Sequence, residues 1–269
     1  MNYFQFDFEP HTKDEGEQLI ALLAEQGFDG FEEDGFTLIA FIPEANFNQE
    51  AFEAVLAKFE IMAYTKSSIE NINWNQKWES EYEPVVVGDF VGIRAQFHQA
   101  LQNVQYEIVI TPKMSFGTGH HATTWMMMKL MEGINFTQKK VLDFGTGTGV
   151  LAILAEKMGA AAVLAIDYDE WSITNAIENC EINQCLHCTV QQADAVPATG
   201  LYDIILANIN LNVLLANMPA LAKATQQHLL ISGILKTDEQ AMVAAAAAQG
   251  LHKVAILTQK DWIAIHFEK

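Results

Sequence analysis

The chain has 269 residues, half of them apolar, with 34 Asp and Glu against 15 Lys and Arg for a net charge of −19. Such a length and apolar content call for a packed core, or one core of ordinary size plus a small one, and exclude a disordered chain. The charge argues against a sequence-independent grip on nucleic acid, which needs clustered Lys and Arg, and no apolar run approaches the ~18 residues of a bilayer span.

Residues 1–70 read as strand, helix, strand, strand, helix, strand. In the first strand, Tyr3–Phe8, Phe4, Phe6 and Phe8 alternate with Gln5 and Asp7; the pattern is that of a half-buried strand, not of a signal peptide. A helix is expected over Asp14–Gln26, with Leu19, Ile20, Leu22 and Leu23 on its apolar side and Gly27 at its end. Phe28–Glu33 and Phe36–Ile42 make two strands around an acidic turn at Asp34-Gly35, Gln49–Phe59 a second helix, and Ile61–Ile69 the closing strand. This order predicts a small α+β ferredoxin-like domain. It holds 15 Asp and Glu against 3 Lys, so 12 of the 19 net negative charges sit in the first quarter of the chain. The patch reads either as a solvated surface or as a docking surface for a basic partner.

Residues 71–89, including NWNQKWESEYEP, read as a connector with a short helix, in which Trp74 and Trp78 are expected to pack between domains. A second domain is expected over 90–269. Phe90–Ala95 and Tyr106–Thr111 read as strands. Strands Lys140–Asp143, Ala162–Asp167, Cys188–Gln192, Ile204–Asn208 and His228–Ser232 then alternate with helices. That order predicts an α/β, Rossmann-like doubly wound parallel sheet with its ligand at the carboxyl ends of the strands. Leu251–Gln259 and Trp262–Glu268, joined by a turn at Lys260-Asp261, add an antiparallel hairpin, so the whole is similar to class I methyltransferases.

The stretch VLDFGTGTGVLAI sets a strand and Asp143 before Gly145, Gly147 and Gly149, then a helix. Glycines there let the backbone approach a ligand closely. A dinucleotide turn would carry GxGxxG, with its third glycine where this chain has Val150. The GxGxG spacing, with an acid two residues before it, is instead the pattern of S-adenosylmethionine enzymes. Asp167 ends VLAID, 22 residues after Gly145, where a carboxylate can accept both ribose hydroxyls of an adenosine. Asp194, after the third strand, is placed to meet the adenine amino group. The fourth strand ends in ILANIN, which puts Asn208 at the lip of the sheet opposite the glycine turn. Asn208-Ile209-Asn210-Leu211 lacks the prolines and aromatic of an N-P-P-Tyr motif, which argues against a flipped base as substrate. The carboxamide still suits an amine.

Other clusters read as structure. His120 and His121 have no further ligand at helical spacing. Cys180, Cys185 and Cys188, with His187 among them, read as thiols of a packed strand and helix rather than a zinc site, and three cysteines fit a reducing cytosol. Met126, Met127 and Met128 read as core.

PKMSFGTGHHATT, Pro112–Thr124, closely resembles the FGTGxHxTT segment of the ribosomal protein L11 methyltransferases, the PrmA family. LDFGTGTGVLAI, IDYDEWSITNAIENCEIN, ILANINLNVLL, LISGILKTDE, DWIAIHF and the connector NWNQKWE resemble it too, so the likeness covers nearly all of 71–269 and is vaguer over 1–70. The resemblance implies a cytoplasmic enzyme with an N-terminal substrate-recognition domain. It implies methyl transfer from S-adenosyl-L-methionine to the N-terminal α-amine and lysine ε-amines of a basic large-subunit ribosomal protein. It carries cofactor contacts onto Thr124, Gly145, Asp167 and Asn208. Gly147 belongs to the same glycine turn, and the loop Phe116–Thr124 is expected to fold over the cofactor. Asn208 is expected to orient the amine, with no strong general base. A monomer, with no metal and no membrane or direct nucleic-acid partner, completes the expectation. A related enzyme acting on another amine and a non-catalytic cofactor-binding module are the competing readings.

Overall fold

Strand β1, Tyr3–Phe8, points Phe6 and Phe8 into a core of its own unit in the computed structural model, which describes residues 2–8, 12–34, 37–61, 63–69, 82–113 and 117–269. The chain divides into two compact units, residues 1–82 and 83–269. In the first, β1 is followed by α1 (Lys13–Ala24), β2 (Gly30–Asp34), β3 (Thr37–Pro43), α2 (Gln49–Lys58) and β4 (Thr65–Ile69). The sheet order is β2-β3-β1-β4 with every neighbouring pair antiparallel, the ferredoxin-like arrangement. Thr12 and Asn48 cap the two helices, each side chain accepting an amide hydrogen three residues on. Phe6, Phe28 and Phe52 pack on one another with Leu19, Leu23 and Leu38 to fill the space between sheet and helices.

The closing strand starts at Thr65 rather than Ile61. Glu60 takes the left-handed conformation (φ 55°) and Ile61 N–H reaches back to the Leu56 carbonyl at 3.2 Å, so these residues end α2 and Ile61 buries its side chain. Trp74 and Trp78 of the connector lie outside the described residues.

The second unit begins with β5 (Val85–Val87), inside the stretch read from sequence as connector. It pairs with β6 (Val91–Ala95), and β6 with β7 (Tyr106–Ile110), in a separate three-stranded sheet. After α3 (Ala122–Met131) comes the main sheet. Its elements are β8 (Lys140–Phe144), α4 (Val150–Lys157), β9 (Ala162–Asp167), α5 (Glu170–Ile182), β10 (Cys188–Gln192), β11 (Tyr202–Asn208), α6 (Leu211–Ala224), β12 (Thr225–Leu235), α7 (Glu239–Ala247), β13 (His252–Gln259) and β14 (Trp262–Glu268). The strand order is β10-β9-β8-β11-β12-β14-β13. The first five run parallel, and β14 inserts antiparallel between β12 and β13.

Leu142, Phe144, Leu229 and Ile231 face α6 and α7, while Val141, Ile204, Leu206 and Leu230 face the opposite core with α3 and α4. Met126, Met127 and Met128 are fully buried, as the sequence suggested. The free edge of β7 is closed by side chains. Asn175, Asn179 and Asn183 stand four apart on one face of α5 and its cap. Asn179 Oδ1 accepts Thr111 N–H at 2.8 Å, Asn183 Oδ1 accepts Val109 N–H at 3.0 Å, and the side-chain amides of Asn175 and Asn183 donate to the Thr111 and Val109 carbonyls. These carboxamides do the work of a neighbouring strand. Among the described residues, no helix is long and apolar enough to cross a membrane.

Candidate active site

The chain leaves β8 to one side through β9 and returns on the other through β11, so the sheet's switch point lies between β8 and β11. The carboxyl end of β8 carries the glycine turn, and that of β11 carries Asn208. Gly145, Gly147 and Gly149 all have positive φ, at 78°, 54° and 83°. The turn is tied to β9, because Gly145 and Thr146 both donate to the Ile166 carbonyl, at 2.8 and 3.0 Å. A Cβ on Gly145 would stand 2.2 Å from Ile209 Cγ2, so only glycine lets the two loops meet.

Asp167 is buried at the end of β9. Its Oδ2 accepts Gly147 N–H at 2.9 Å and its Oδ1 accepts Asp169 N–H at 3.1 Å. Each oxygen keeps a lone pair, so the two amides fix the carboxylate while leaving it able to accept a diol. The helix cap is its neighbour: Asp169 accepts Ser172 N–H at 2.9 Å, which leaves Asp167 to the cleft. Asp143 lies deeper. Thr146 Oγ1 donates to its Oδ2 at 2.6 Å, and its Oδ1 has no partner. Burial, with the Asp167 charge adding to it against the Thr146 hydrogen bond, pushes its carboxyl up to about 7.

Asn208 is buried, and its Nδ2 donates to Thr124 Oγ1 at 3.3 Å. Its Oδ1 is buried with no hydrogen-bond partner. An orphaned acceptor of this kind costs about 1–3 kcal/mol unless a ligand fills it. Asn208 lines a cleft of about 410 Å³ with His121, Thr123, Gly145, Gly147, Asp167, Tyr168, Ser172, Ile209, Asn210, Gly233 and Trp262, a size suited to one small molecule. A recess of about 100 Å³ continues from it past Gly145, Asp167 and Tyr168 to Ala193 and Asp194.

The structure thus brings Gly145, Gly147, Asp167 and Asn208 around one cleft, with Asp194 at its extension. Thr124 stands behind Asn208 as its hydrogen-bond partner, while Thr123 lines the cleft. Phe116 lies outside the described residues. Of the loop before α3, Gly117 is held to the glycine turn, its carbonyl accepting Thr148 Oγ1 at 2.7 Å. Asn179 also reaches this turn, donating to the Thr148 carbonyl at 2.8 Å. His121 caps α3 and packs edge-on against Trp262, ring centroids 4.8 Å apart, while His120 is tied to the Glu83 carbonyl at 2.9 Å. Cys180 is buried, its sulfur 3.6 Å from that of Cys188. His121 and Thr123 belong to the loop Phe116–Thr124 expected over the cofactor, though neither was singled out as a lining residue. Sequence reasoning missed Tyr168 and Trp262 as lining residues; Tyr168 directly follows Asp167, whereas Trp262 comes from a segment far along the chain with no local signal.

A glycine cradle, a fixed carboxylate at the end of the neighbouring strand and a carboxamide with an unpaired oxygen across the switch point define a class I S-adenosylmethionine-dependent methyltransferase. The family model described as "Ribosomal protein L11 methyltransferase (PrmA)" matches residues 13–269. The Bacteroides fragilis ribosomal protein L11 methyltransferase is 37% identical, the match covering 99% of each chain. That of Chlorobaculum tepidum is 38% identical, covering 88% of this chain and 86% of the relative. A crystal structure of a ribosomal protein L11 methylase from Lactobacillus delbrueckii subsp. bulgaricus superposes with a TM-score of 0.64 and 28% identity, over 69% of this chain and 98% of that one. The chain belongs to the ribosomal protein L11 methyltransferase family, and its cofactor is S-adenosyl-L-methionine.

Proposed function

We propose that this enzyme methylates amino groups of ribosomal protein L11, its N-terminal α-amine and lysine ε-amines, in the cytoplasm. The observation that carries the reading is the buried, unpartnered Oδ1 of Asn208 at the switch point. When bound, S-adenosyl-L-methionine supplies a methyl group already activated on a cationic sulfur. Asp167 would hold its ribose, Asp194 its adenine amino group, and the backbone of Gly145 and Gly147 the rest. What remains for the chain is to present a neutral amine.

An α-amine has a pKa near ~8, so a usable fraction is neutral at pH 7, while a lysine near ~10.4 needs roughly 4–5 kcal/mol to lose its proton there. A desolvated cleft lowers an amine pKa. Asn208 Oδ1 is a neutral acceptor: it orients an N–H without holding the amine protonated as a carboxylate would. Thr124 Oγ1 accepts from the Asn208 amide nitrogen, which leaves Oδ1 as the acceptor for the substrate. The acidic N-terminal unit would attract the basic substrate, so its charge speeds encounter. Asn208→Ala should lower turnover at saturating cofactor by about 100-fold or more, since orientation and one aimed hydrogen bond are both lost. Turnover within a few-fold of the parent would overturn this role.

A further inference from the structure

At the opposite end of β12 from the cofactor cleft, three potential metal ligands converge. β12 and β14 are paired antiparallel, with His228 directly opposite Glu268 and Leu230 opposite His266. Directly opposed and diagonal residues share a face of a sheet, so His228, Glu268 and His266 project together beside Leu230. His228 Nδ1 lies 3.0 Å from His266 Nε2 and 3.5 Å from Glu268 Oε1, and the three ligand atoms all fall within 4.8 Å of one another.

We propose that His228, His266 and Glu268 bind a divalent transition-metal ion of the zinc type, which clamps β12 to β14. Two imidazoles and one carboxylate are a donor set such ions accept, with a further position left to water. Around a tetrahedral ion with bonds of about 2.0–2.1 Å, neighbouring ligand atoms stand roughly 3.3–3.4 Å apart. The two distances from His228 bracket that edge. The third needs only a turn of Glu268, whose side chain is 48% exposed. Both histidines sit on strands paired on both sides, so the site is held by backbone rather than by a loop. Lys139, the neighbouring cation, is engaged by Gln227 at 2.9 Å and by Asp203 at 3.8 Å. An imidazole pair sharing one hydrogen bond would explain the 3.0 Å contact, but it has no need of Glu268 at the same vertex.

The test uses the full chain without a histidine tag, stripped with a chelator and titrated with Zn²⁺ by calorimetry and with Co²⁺ by visible absorption. Saturable binding of one ion per chain is expected. It should weaken at least tenfold in His228→Gln and in Glu268→Gln, and stay unchanged when exposed His187 is replaced by alanine. These two positions are chosen because His266 is buried, and unchanged cofactor binding by the variants would establish that they fold. No saturable binding at one ion per chain, or binding undiminished in His228→Gln, would overturn the proposal.

Discussion

Gly233 offers the sharpest test of how the site is built. Its φ is 87°, and a Cβ there would lie 2.3 Å from the Ile209 carbonyl oxygen, 2.7 Å from its carbonyl carbon and 2.9 Å from its nitrogen. All three are backbone atoms, about 0.6 to 1.2 Å inside the ~3.5 Å at which non-bonded heavy atoms rest. Ile209 cannot yield freely, because its own N–H is bonded to the Ser232 carbonyl and its side chain fills the space over Gly145. Gly233→Ala therefore combines about 1 kcal/mol of left-handed strain with a steric term, for a loss of roughly 3–4 kcal/mol. Moving Ile209 also moves Asn208, so turnover should fall by about 100-fold. Gly250 is the control: its φ is 81° but nothing lies within 4 Å of its Cβ position. Gly250→Ala should cost only about 1 kcal/mol and leave turnover intact. Urea unfolding with a methyl-transfer assay measures both. If the two variants lost stability within about 0.5 kcal/mol of each other, the argument that these loops are locked by close approach would be wrong.

Asn179→Ala removes the partners of Thr111 N–H and the Thr148 carbonyl at once, so it should cost roughly 2–4 kcal/mol in urea unfolding and weaken cofactor binding through the glycine turn; a loss under ~1 kcal/mol would count against the helix acting as an edge strand. Asp143 has a folded pKa raised from 3.8 to about 7, so its contribution to stability is complete below the unfolded value and is lost as pH rises through the folded one. The stability of the parent relative to Asp143→Asn should thus fall by about 1.4 kcal/mol per pH unit between pH 5 and 7, and parallel pH profiles for the two proteins would refute it. If the acidic N-terminal unit steers a basic substrate, the KM for L11 should rise steeply between ~50 and ~300 mM salt while kcat holds; a flat KM would exclude that steering.

The legible parts of the sequence were those whose chemistry is local. Gly145, Gly147 and Gly149 form the turn after β8 that their spacing announced, each with positive φ, and Asp167 ends β9 as VLAID suggested. The ferredoxin-like order of the first unit followed from alternation and helix stops. The illegible parts depend on what the chain meets in space. Val85–Val87 is too short to read as a strand and shows itself only by pairing with β6. β12 extends back to Thr225 through the exposed polar pair Gln226 and Gln227, which carries no apolar period. The fit of Gly233 against Ile209 and of His121 against Trp262 joins segments that no local pattern links. Among the adjacent threonines, only the geometry separates Thr123, on the cleft, from Thr124, behind Asn208.

The central claim is that this cleft transfers methyl groups to amines of ribosomal protein L11. Intact and peptide mass spectrometry of L11, after incubation with the purified enzyme and S-adenosyl-L-methionine, tests it directly. The predicted result is mass steps of ~14 Da, mapped to the N-terminal amine and to lysines, and absent with Asn208→Ala. An unchanged L11 mass, in a preparation shown to bind the cofactor, would contradict it.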